Sequence, residues 1–260
     1  MNRGKIIKVF LLLLLFIFSL YLWDNNIDPN NNIKDKAVIV DGLLEFSNSS
    51  FINTAAKILT DSGYEVSIIE PDKVTVDFYK NLPSRGYEII ILRVHCGPLR
   101  TEIGDGSYIP EGTVFFTTES YNAKDYQDLQ NNGLLAVAKI RGNEEDQFFA
   151  IPPVFFENLE NFHNSTIILD SCYGFWSGAP LVMAETLRQK GVRTFIGWDG
   201  EVQAHHTDAA VINLLKKIML EGNTINESIE KTMNEIGKDP YYKTRLLYYP
   251  KASGDIKIIK

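Results

Sequence analysis

The sequence predicts an α/β fold: a doubly wound, mostly parallel six-stranded sheet with helices on both faces and a β-hairpin insertion between the third and fourth strands. Three observations predict it. Short apolar runs alternate with segments of helical spacing. Two of these runs, residues 87–94 and 166–169, hold uninterrupted aliphatic stretches, as do parallel strands that are buried on both faces. Between them, residues 98–164 break the alternation with Gly, Pro, Asn and acidic residues.

The first part of the chain predicts the order strand, helix, strand, helix, strand. The predicted elements are a strand at residues 37–41, a helix at 50–62, a strand at 65–69, a helix at 74–82 and a strand at 87–94. In the first helix, Phe51, Ala55 and Leu59 recur at helical spacing before Gly63 ends the pattern. Short crossovers of this kind favour a parallel sheet covered on both faces.

Residues 98–164 predict β-hairpins inserted at the rim of the sheet. Their strands are expected at residues 113–118, 134–140 and 147–154. Loops at such a position often carry the residues that bind substrate.

The alternating pattern then resumes and predicts the second half of the sheet. The predicted elements are a strand at residues 166–169, a helix at 179–190, a strand at 192–198, helices at 207–221 and 226–236, and an edge strand at 244–249. A chain of 260 residues that is 45% hydrophobic and 23% charged suits one substantial globular domain, which we place at residues 37–260.

The N-terminus predicts an export segment. Arg3, Lys5 and Lys8 precede fifteen uncharged, mostly apolar residues that end at Trp23. No small-residue cleavage pattern follows, so an uncleaved signal anchor at residues 1–23 is favoured over a cleaved signal peptide. The Asn- and Asp-rich residues 24–36 predict a tether. The basic flank places the domain outside the cytoplasmic membrane, either as a single-pass membrane protein or, after cleavage, as a secreted one.

The charge argues against a nucleic-acid partner. The formal net charge is −7, and it falls to −10 without residues 1–23, which carry three cations and no anion. Proteins that bind nucleic acid by its phosphates usually present a basic surface instead.

Two of the predicted strands end in reactive side chains. The third strand runs into His95-Cys96-Gly97, and the fourth runs into Asp170-Ser171-Cys172-Tyr173-Gly174. An open parallel sheet binds its ligands beyond the carboxyl ends of its strands. A thiol becomes a good nucleophile when an imidazole removes its proton. These strand ends therefore predict a cysteine–histidine hydrolase, and above all a peptidase that acts on peptide or protein substrates.

In these residues the chain resembles the caspase-fold (clan CD) cysteine peptidases, among them caspases, legumain, gingipain, clostripain and separase. The shared features are an apolar strand ending in His and Gly, a second ending in Asp-x-Cys, and histidine before cysteine in the chain. Gly197-Trp198 is also similar to the caspase-like CHAT group. The resemblance spans about residues 37–249. It implies a caspase-like sheet, a Cys–His dyad and an endopeptidase that needs no cofactor.

The resemblance implies a role for five residues. Cys172 attacks the scissile carbonyl, and His95 protonates the departing amine. The N–H groups of Gly97 and Cys172 face the oxyanion, although the extra Cys96 leaves Cys96 N–H as an alternative to Gly97. Asp170 matches the carboxylate that selects Arg or Lys in clostripain-like enzymes, and the alternative is a carboxylate that caps a turn. Trp198 forms a wall of that pocket or packs in the core.

Four alternatives stay open. Cys96 and Cys172 can pair as a disulfide, which would leave an inactive caspase-like scaffold at the membrane. His205-His206 and the cysteines can suggest zinc, but their spacing is unsuitable. An amidohydrolase would use His205 as its base. Calcium is a candidate ligand for Glu144-Glu145-Asp146, a run that otherwise predicts a solvated loop.

Overall fold

Two β-sheets organise the part of the chain that the computed structural model describes, which is residues 35–258 apart from 103, 105, 106 and 177–180. The strands are β1 Lys36–Asp41, β2 Glu65–Ile69, β3 Tyr87–Arg93, β4 Cys96–Glu102, β5 Tyr108–Ser120, β6 Ala136–Ile140, β7 Asn143–Ile151, β8 Thr166–Leu169, β9 Thr194–Trp198 and β10 Leu246–Tyr249.

The main sheet has six strands in the order β2-β1-β3-β8-β9-β10. The first five run parallel to their neighbours, and β10 pairs antiparallel with β9 at the edge. The predicted α/β class and the mostly parallel six-stranded sheet are therefore confirmed. The order is also compatible with a doubly wound fold, in which the chain starts near the middle and proceeds outward in both directions.

The inserted segment forms a sheet of its own rather than separate hairpins. This antiparallel sheet has the order β4-β5-β7-β6. Strand β4 was not predicted: it starts at Cys96, and only two residues separate it from the end of β3 at Arg93. The strand expected at residues 147–154 ends at Ile151 as β7, because Pro152 and Pro153 start a short helix there.

Helices connect the strands of the main sheet. They are α1 Ser49–Asp61, α2 Val76–Asn81, α3 Gln127–Asn131, α4 Pro153–Glu157, α5 Val182–Gln189, α6 Ala204–Leu215, which continues as a π-helical turn over Lys216–Leu220, and α7 Ile225–Glu235. Local sequence explains two of the starts: the Asn48 side chain accepts a hydrogen bond from Phe51 N–H, and Thr224 with Glu227 forms a capping box.

The two faces of the main sheet pack against different helices. On one face, Ile90, Leu92 and Leu169 pack with residues of α2, α4, α5 and the second sheet. On the other face, Ile91 and Ile168 pack with residues of α1, α6 and α7. Side chains alternate along a strand, so these two core clusters identify the face of the sheet toward which each residue near a strand end points.

The predicted anchor, residues 1–23, and residues 24–34 of the predicted tether lie outside the described residues. Within the described residues, no helix is long and apolar enough to cross a membrane. The described residues belong to one compact unit, Asp35–Lys260.

The loop after β8 approaches β9 closely at a pair of glycines. A Cβ on Gly174 would lie 3.0 Å from the Gly197 Cα, and a Cβ on Gly197 would lie 3.2 Å from the Gly174 Cα. The backbones can approach this closely only because neither residue has a side chain. This contact holds the loop that carries Cys172 against the sheet.

We expect Gly174→Ala to destabilise the fold by about 1–3 kcal/mol, because the added methyl group meets backbone that cannot move aside. Urea unfolding followed by tryptophan fluorescence measures this cost. Gly97→Ala is the matched control, since its methyl group would meet only the Phe116 ring, 3.3 Å away. Equal losses in the two variants would contradict the close approach as the cause.

Candidate active site

A cavity of about 540 Å³ lies at the carboxyl ends of β1, β3 and β8. It is lined by residues 43, 46–48, 93–95, 170–172, 202–205, 207, 208 and 242. Strand order reverses between β1 and β3, since β1 is followed along the chain by β2 on one side and then by β3 on the other. Such a switch point leaves a crevice beyond the strand ends, and open α/β sheets bind their ligands there.

Pairing of β3 with β8 places His95 and Cys172 at the same level. Leu92 lies opposite Leu169, and the Asp170 N–H continues the ladder by donating to the Leu92 carbonyl at 2.9 Å. His95 and Cys172 each lie three residues beyond this pair. Both side chains line the cavity, as the sequence predicted for two reactive strand ends.

His95 is held by its neighbours on three sides. Its Nε2 lies 3.2 Å from Glu45 Oε2, and its ring lies between the rings of Phe46 and Phe116, with centroids 6.4 and 6.0 Å away. Its carbonyl accepts a hydrogen bond from Phe116 N–H of β5. The Glu45 carboxylate thus orients the imidazole toward one edge of the cavity.

The Cys172 thiol is bracketed by the main chain of Val202. The Val202 N–H donates to Sγ at 3.4 Å, and Sγ lies 3.5 Å from the Val202 carbonyl oxygen. Burial raises the pKa of the thiol above its ordinary value, and the negative charges of Glu201 and Asp239 raise it further. The hydrogen bond from the Val202 N–H lowers the pKa but does not offset these effects. Cys172 is therefore a neutral thiol at rest, and a base would have to remove its proton before the sulfur could act as a nucleophile.

The two predicted oxyanion donors have different surroundings. Within the described residues, the Cys172 N–H has no hydrogen-bond acceptor, and Cys172 lines the cavity. Gly97 belongs to β4 opposite Val114 and is not part of the cavity wall. Its N–H interacts with the Cys96 thiol and lowers that thiol's pKa. This geometry therefore supports Cys172 as a donor and does not support Gly97, because residue 97 already belongs to the second sheet.

The residue after the nucleophile has an unusual backbone conformation. Tyr173 has a φ of 57°, in the left-handed region that non-glycine residues rarely adopt. Its N–H donates to the Gly200 carbonyl at 2.8 Å, and Phe175 N–H donates to the Trp198 carbonyl at 2.8 Å. The turn is thus fixed along the end of β9, which presents Cys172 to the cavity.

Below His95 and Cys172, Arg93 binds carboxylates from two other segments. Its guanidinium makes two hydrogen bonds to Asp208, at 2.8 and 3.2 Å, and one to Asp41 at 2.6 Å. The Arg93 side chain is fully buried. Burial opposes its charge, but the hydrogen bonds to Asp208 and Asp41 outweigh burial and raise the Arg93 pKa. This network joins the ends of β1 and β3 to the start of α6.

Asp170 lies beside this network and lines the floor of the cavity. It is fully buried, and its Oδ1 accepts a hydrogen bond from Thr207 Oγ1 at 2.6 Å. Its Oδ2 lies 3.9 Å from Arg93 Nε and has no hydrogen-bond partner among the described residues. Burial and the Asp208 carboxylate raise the pKa of Asp170 well above its ordinary value, against Thr207 and Arg93. One acceptor oxygen is therefore left unsatisfied in the cavity floor.

Trp198 lies behind the cavity rather than in its wall. Its side chain is fully buried in the core, and its Nε1 donates to Thr207 Oγ1 at 2.9 Å. Thr207 in turn donates to Asp170. Trp198 therefore does not form the predicted wall of a substrate pocket. The alternative of core packing fits, with Trp198 supporting Asp170 through Thr207.

The two cysteines face different sides of the main sheet. Cys96 is buried in the core cluster shared with the second sheet, whereas Cys172 packs against the opposite cluster, and both are free thiols. A disulfide needs the two Cβ atoms within about 4.5 Å. The free thiols and their different clusters therefore give a disulfide no support.

His205 and His206 separate in space. His205 lines the same cavity as Cys172. His206 packs against Trp198 with ring centroids 5.4 Å apart and the rings tilted by 56°, and its Nε2 lies 3.2 Å from the Gly237 carbonyl oxygen. The acidic run 144–146 lies in β7 rather than in a loop. Among the residues that the structure describes, no three His, Cys, Asp or Glu side chains are grouped so as to hold a metal ion.

Several residues of the site were not predicted from the sequence. They are Asp41, Glu45, Arg93, Val202 and Asp208. Of these, only Arg93 could have been recognised from the sequence, since a charged residue near the end of an aliphatic strand needs buried partners of opposite charge. The other four have no distinctive sequence context, and only the folded chain brings them close to His95 and Cys172.

We expect one thiol of the native protein to react with iodoacetamide and both to react in urea without reductant. Cys172 is partly exposed, whereas Cys96 is buried with a pKa well above its ordinary value. The rate at Cys172 should rise steadily with pH through the alkaline range, because its own pKa is raised. Mass spectrometry of alkylated protein measures both. Cys172→Ser should leave no reactive thiol in the native state, and a denatured protein without free thiols would contradict the expectation.

We expect Arg93→Met to cost about 3–5 kcal/mol of stability, because it leaves buried carboxylates without their cation. The loss should be larger near pH 7.5 than near pH 5. Without Arg93, the carboxylates bind protons more tightly in the folded than in the unfolded protein, so stability falls as pH rises. Urea unfolding at the two pH values tests this. Arg188→Ala, which breaks an exposed ion pair with Glu185, should change little, and a pH-independent loss in Arg93→Met would count against the network.

No protein-family model matches this chain, and no curated protein matches it either.

Proposed function

We propose that this protein is a cysteine endopeptidase of the caspase-fold type, which hydrolyses peptide bonds through Cys172 and His95. One observation carries the proposal: a thiol and an imidazole follow adjacent parallel strands at the same register and line one cavity at the switch point of the sheet.

The reaction follows from the protonation states. As Sγ of Cys172 attacks the carbonyl carbon, His95 accepts the thiol proton and becomes a cation beside Glu45. The Cys172 N–H donates to the oxyanion of the tetrahedral intermediate. His95 then gives its proton to the leaving amine as the C–N bond breaks, leaving a thioester. Water, deprotonated by His95, hydrolyses the thioester and restores the thiol.

The architecture supports the family resemblance. The histidine-bearing and cysteine-bearing strands are neighbours in a six-stranded, mostly parallel sheet, and the inserted segment lies between them in the chain. We propose a caspase-like fold on this basis. We also propose that residues 1–23 keep the domain outside the cytoplasm, either as an anchor or as a signal for secretion.

The cavity floor favours a cationic side chain before the scissile bond. Three carboxylates, Asp41, Asp170 and Asp208, surround the single guanidinium of Arg93, and Asp170 Oδ2 has no hydrogen-bond donor. An entering Arg or Lys would supply both the missing donor and a positive charge. An acidic side chain would meet only repulsion, so we propose cleavage after Arg or Lys.

One rival keeps a specific observation in its favour. His205 lines the same cavity as Cys172, so an amidohydrolase that uses His205 as its base is a second candidate. An inactive scaffold is a third. Separate substitution of the two histidines distinguishes the two enzymes, since each variant removes one imidazole and leaves the thiol in place.

We expect residues 33–260 to cleave fluorogenic peptides with Arg or Lys before the scissile bond, measured with and without calcium and reductant. Cys172→Ala should abolish cleavage, and His95→Ala should lower it about 10²–10⁴-fold. His205→Ala is the matched control and should retain activity. Loss in His205→Ala with activity retained in His95→Ala would favour the amidohydrolase, and silence of the wild type across the whole panel would favour the scaffold.

Within the same panel, Asp170→Asn should lower cleavage after Arg and Lys about 10–100-fold, the effect of losing a hydrogen bond to a charged group. Alkylation of Cys172 by iodoacetamide should change far less. Equal loss with basic and neutral substrates would assign Asp170 a purely structural role.

A further inference from the structure

A second carboxylate lies beside the nucleophile and already holds a guanidinium. Arg141, in the turn between β6 and β7, reaches Glu201 in the loop between β9 and α6. Its Nη2 lies 3.1 Å from Glu201 Oε1, and its Nη1 lies 3.5 Å from Oε2. The Arg141 side chain is 83% exposed, whereas Glu201 is only 22% exposed. The Glu201 carboxylate is therefore the restrained member of this ion pair, and the Arg141 guanidinium is the solvent-exposed member that is free to move away.

Glu201 is fixed next to Cys172 by its neighbours. Val202, the next residue, brackets the Cys172 sulfur. Tyr173, the residue after the nucleophile, donates its hydroxyl to Glu201 Oε1 at 2.5 Å. Thr244 Oγ1 donates to the Glu201 carbonyl at 2.5 Å. A side chain bound to Glu201 would thus lie close to the scissile bond of any peptide that Cys172 attacks.

The surroundings keep Glu201 ionised and ready to accept donors. Partial burial disfavours the charge, but the Tyr173 hydroxyl and the Arg141 guanidinium outweigh burial and lower the Glu201 pKa. Tyr242, which lines the cavity, also contributes to lowering the Glu201 pKa. Two tyrosines and a carboxylate are a common setting for a guanidinium or ammonium group.

Breaking the ion pair between Arg141 and Glu201 requires little free energy. Exposed ion pairs contribute little to stability, because water solvates both charges well after separation. A substrate cation can therefore replace Arg141 at little cost. Asp170 differs in this respect, since it is fully buried and lies beside Arg93, which cannot leave.

We infer that Glu201, with Tyr173 and Tyr242, forms a second cation subsite next to Cys172, which Arg141 occupies in the free protein. The inference rests on the proposed peptidase function and deepens it: the preferred substrates carry two basic residues near the scissile bond, one for Asp170 and one for Glu201. Arg141 acts as an internal competitor for the second.

Peptides test this subsite when one Arg is fixed before the scissile bond and a second Arg, or Gln as its neutral counterpart, is moved through the positions on either side. The wild type should prefer the second Arg at one position, and Glu201→Gln should reduce that preference about 10-fold or more. Arg141→Ala should raise kcat/KM for doubly basic peptides up to about fivefold through KM, and leave singly basic peptides unchanged.

Arg188→Ala is the matched control, because Arg188 and Glu185 form a surface pair on α5 that does not line the cavity. It should behave as the wild type. An unchanged positional preference in Glu201→Gln would overturn the subsite. A uniform loss with both peptide classes in Arg141→Ala would do the same, since it would mean that Arg141 only fastens the hairpin.

A second readout does not require cleavage. Arginyl-arginine amide should slow iodoacetamide alkylation of Cys172 in the wild type, more strongly in Arg141→Ala and more weakly in Glu201→Gln. If no peptide is cleaved but this protection depends on Glu201, the peptidase proposal fails and the subsite stands. If cleavage depends on Cys172 but neither readout depends on Glu201, the subsite fails and the peptidase stands.

Discussion

The pairing of β3 with β8 is the constraint on which the site depends. Leu92 opposite Leu169 fixes the register, and the Asp170 N–H extends it by one hydrogen bond beyond the strand. The positions of His95 and Cys172, three residues beyond this pair, depend on the same register. A slip of one residue would turn Cys172 toward the opposite face of the sheet. The dyad residues are thus positioned by main-chain hydrogen bonds between buried strands. Side-chain contacts such as Glu45 with His95 only adjust the orientation.

The same alignment creates a problem of buried charge. It sets Arg93 next to Asp170, two residues before His95 and Cys172, and one guanidinium then faces three carboxylates. Burial of Asp170 and the nearby Asp208 carboxylate raise the pKa of Asp170 well above its ordinary value. An additional cation in the cavity would favour the ionised form of Asp170. Stability and the proposed preference for basic substrates arise from the same group of charges.

Much of this fold could be predicted from local sequence, and the exceptions have physical reasons. The apolar runs gave the strands of the main sheet because such runs are buried whatever surrounds them. Strand β4 was missed because Gly97-Pro98 suggests a turn, yet β4 is an edge strand, where proline is tolerated. The meeting of His95 and Cys172 in one cavity was predictable because each follows the end of a strand. Glu45 and Asp208 were not, because each lies in a separate segment that only the folded chain brings to His95 and Arg93.

The second sheet belongs to the framework of the site. Only Val94 and His95 separate β3 from β4, so the chain passes from one sheet to the other at the proposed base itself. Strand β5 binds the His95 carbonyl through Phe116, and the β6–β7 turn reaches Glu201 through Arg141. The insertion thus contacts residues on both of the segments that flank Cys172. Because His95 directly follows β3 and its carbonyl is bound by β5, its backbone is held where the two sheets meet, which suits the proposed role in proton transfer.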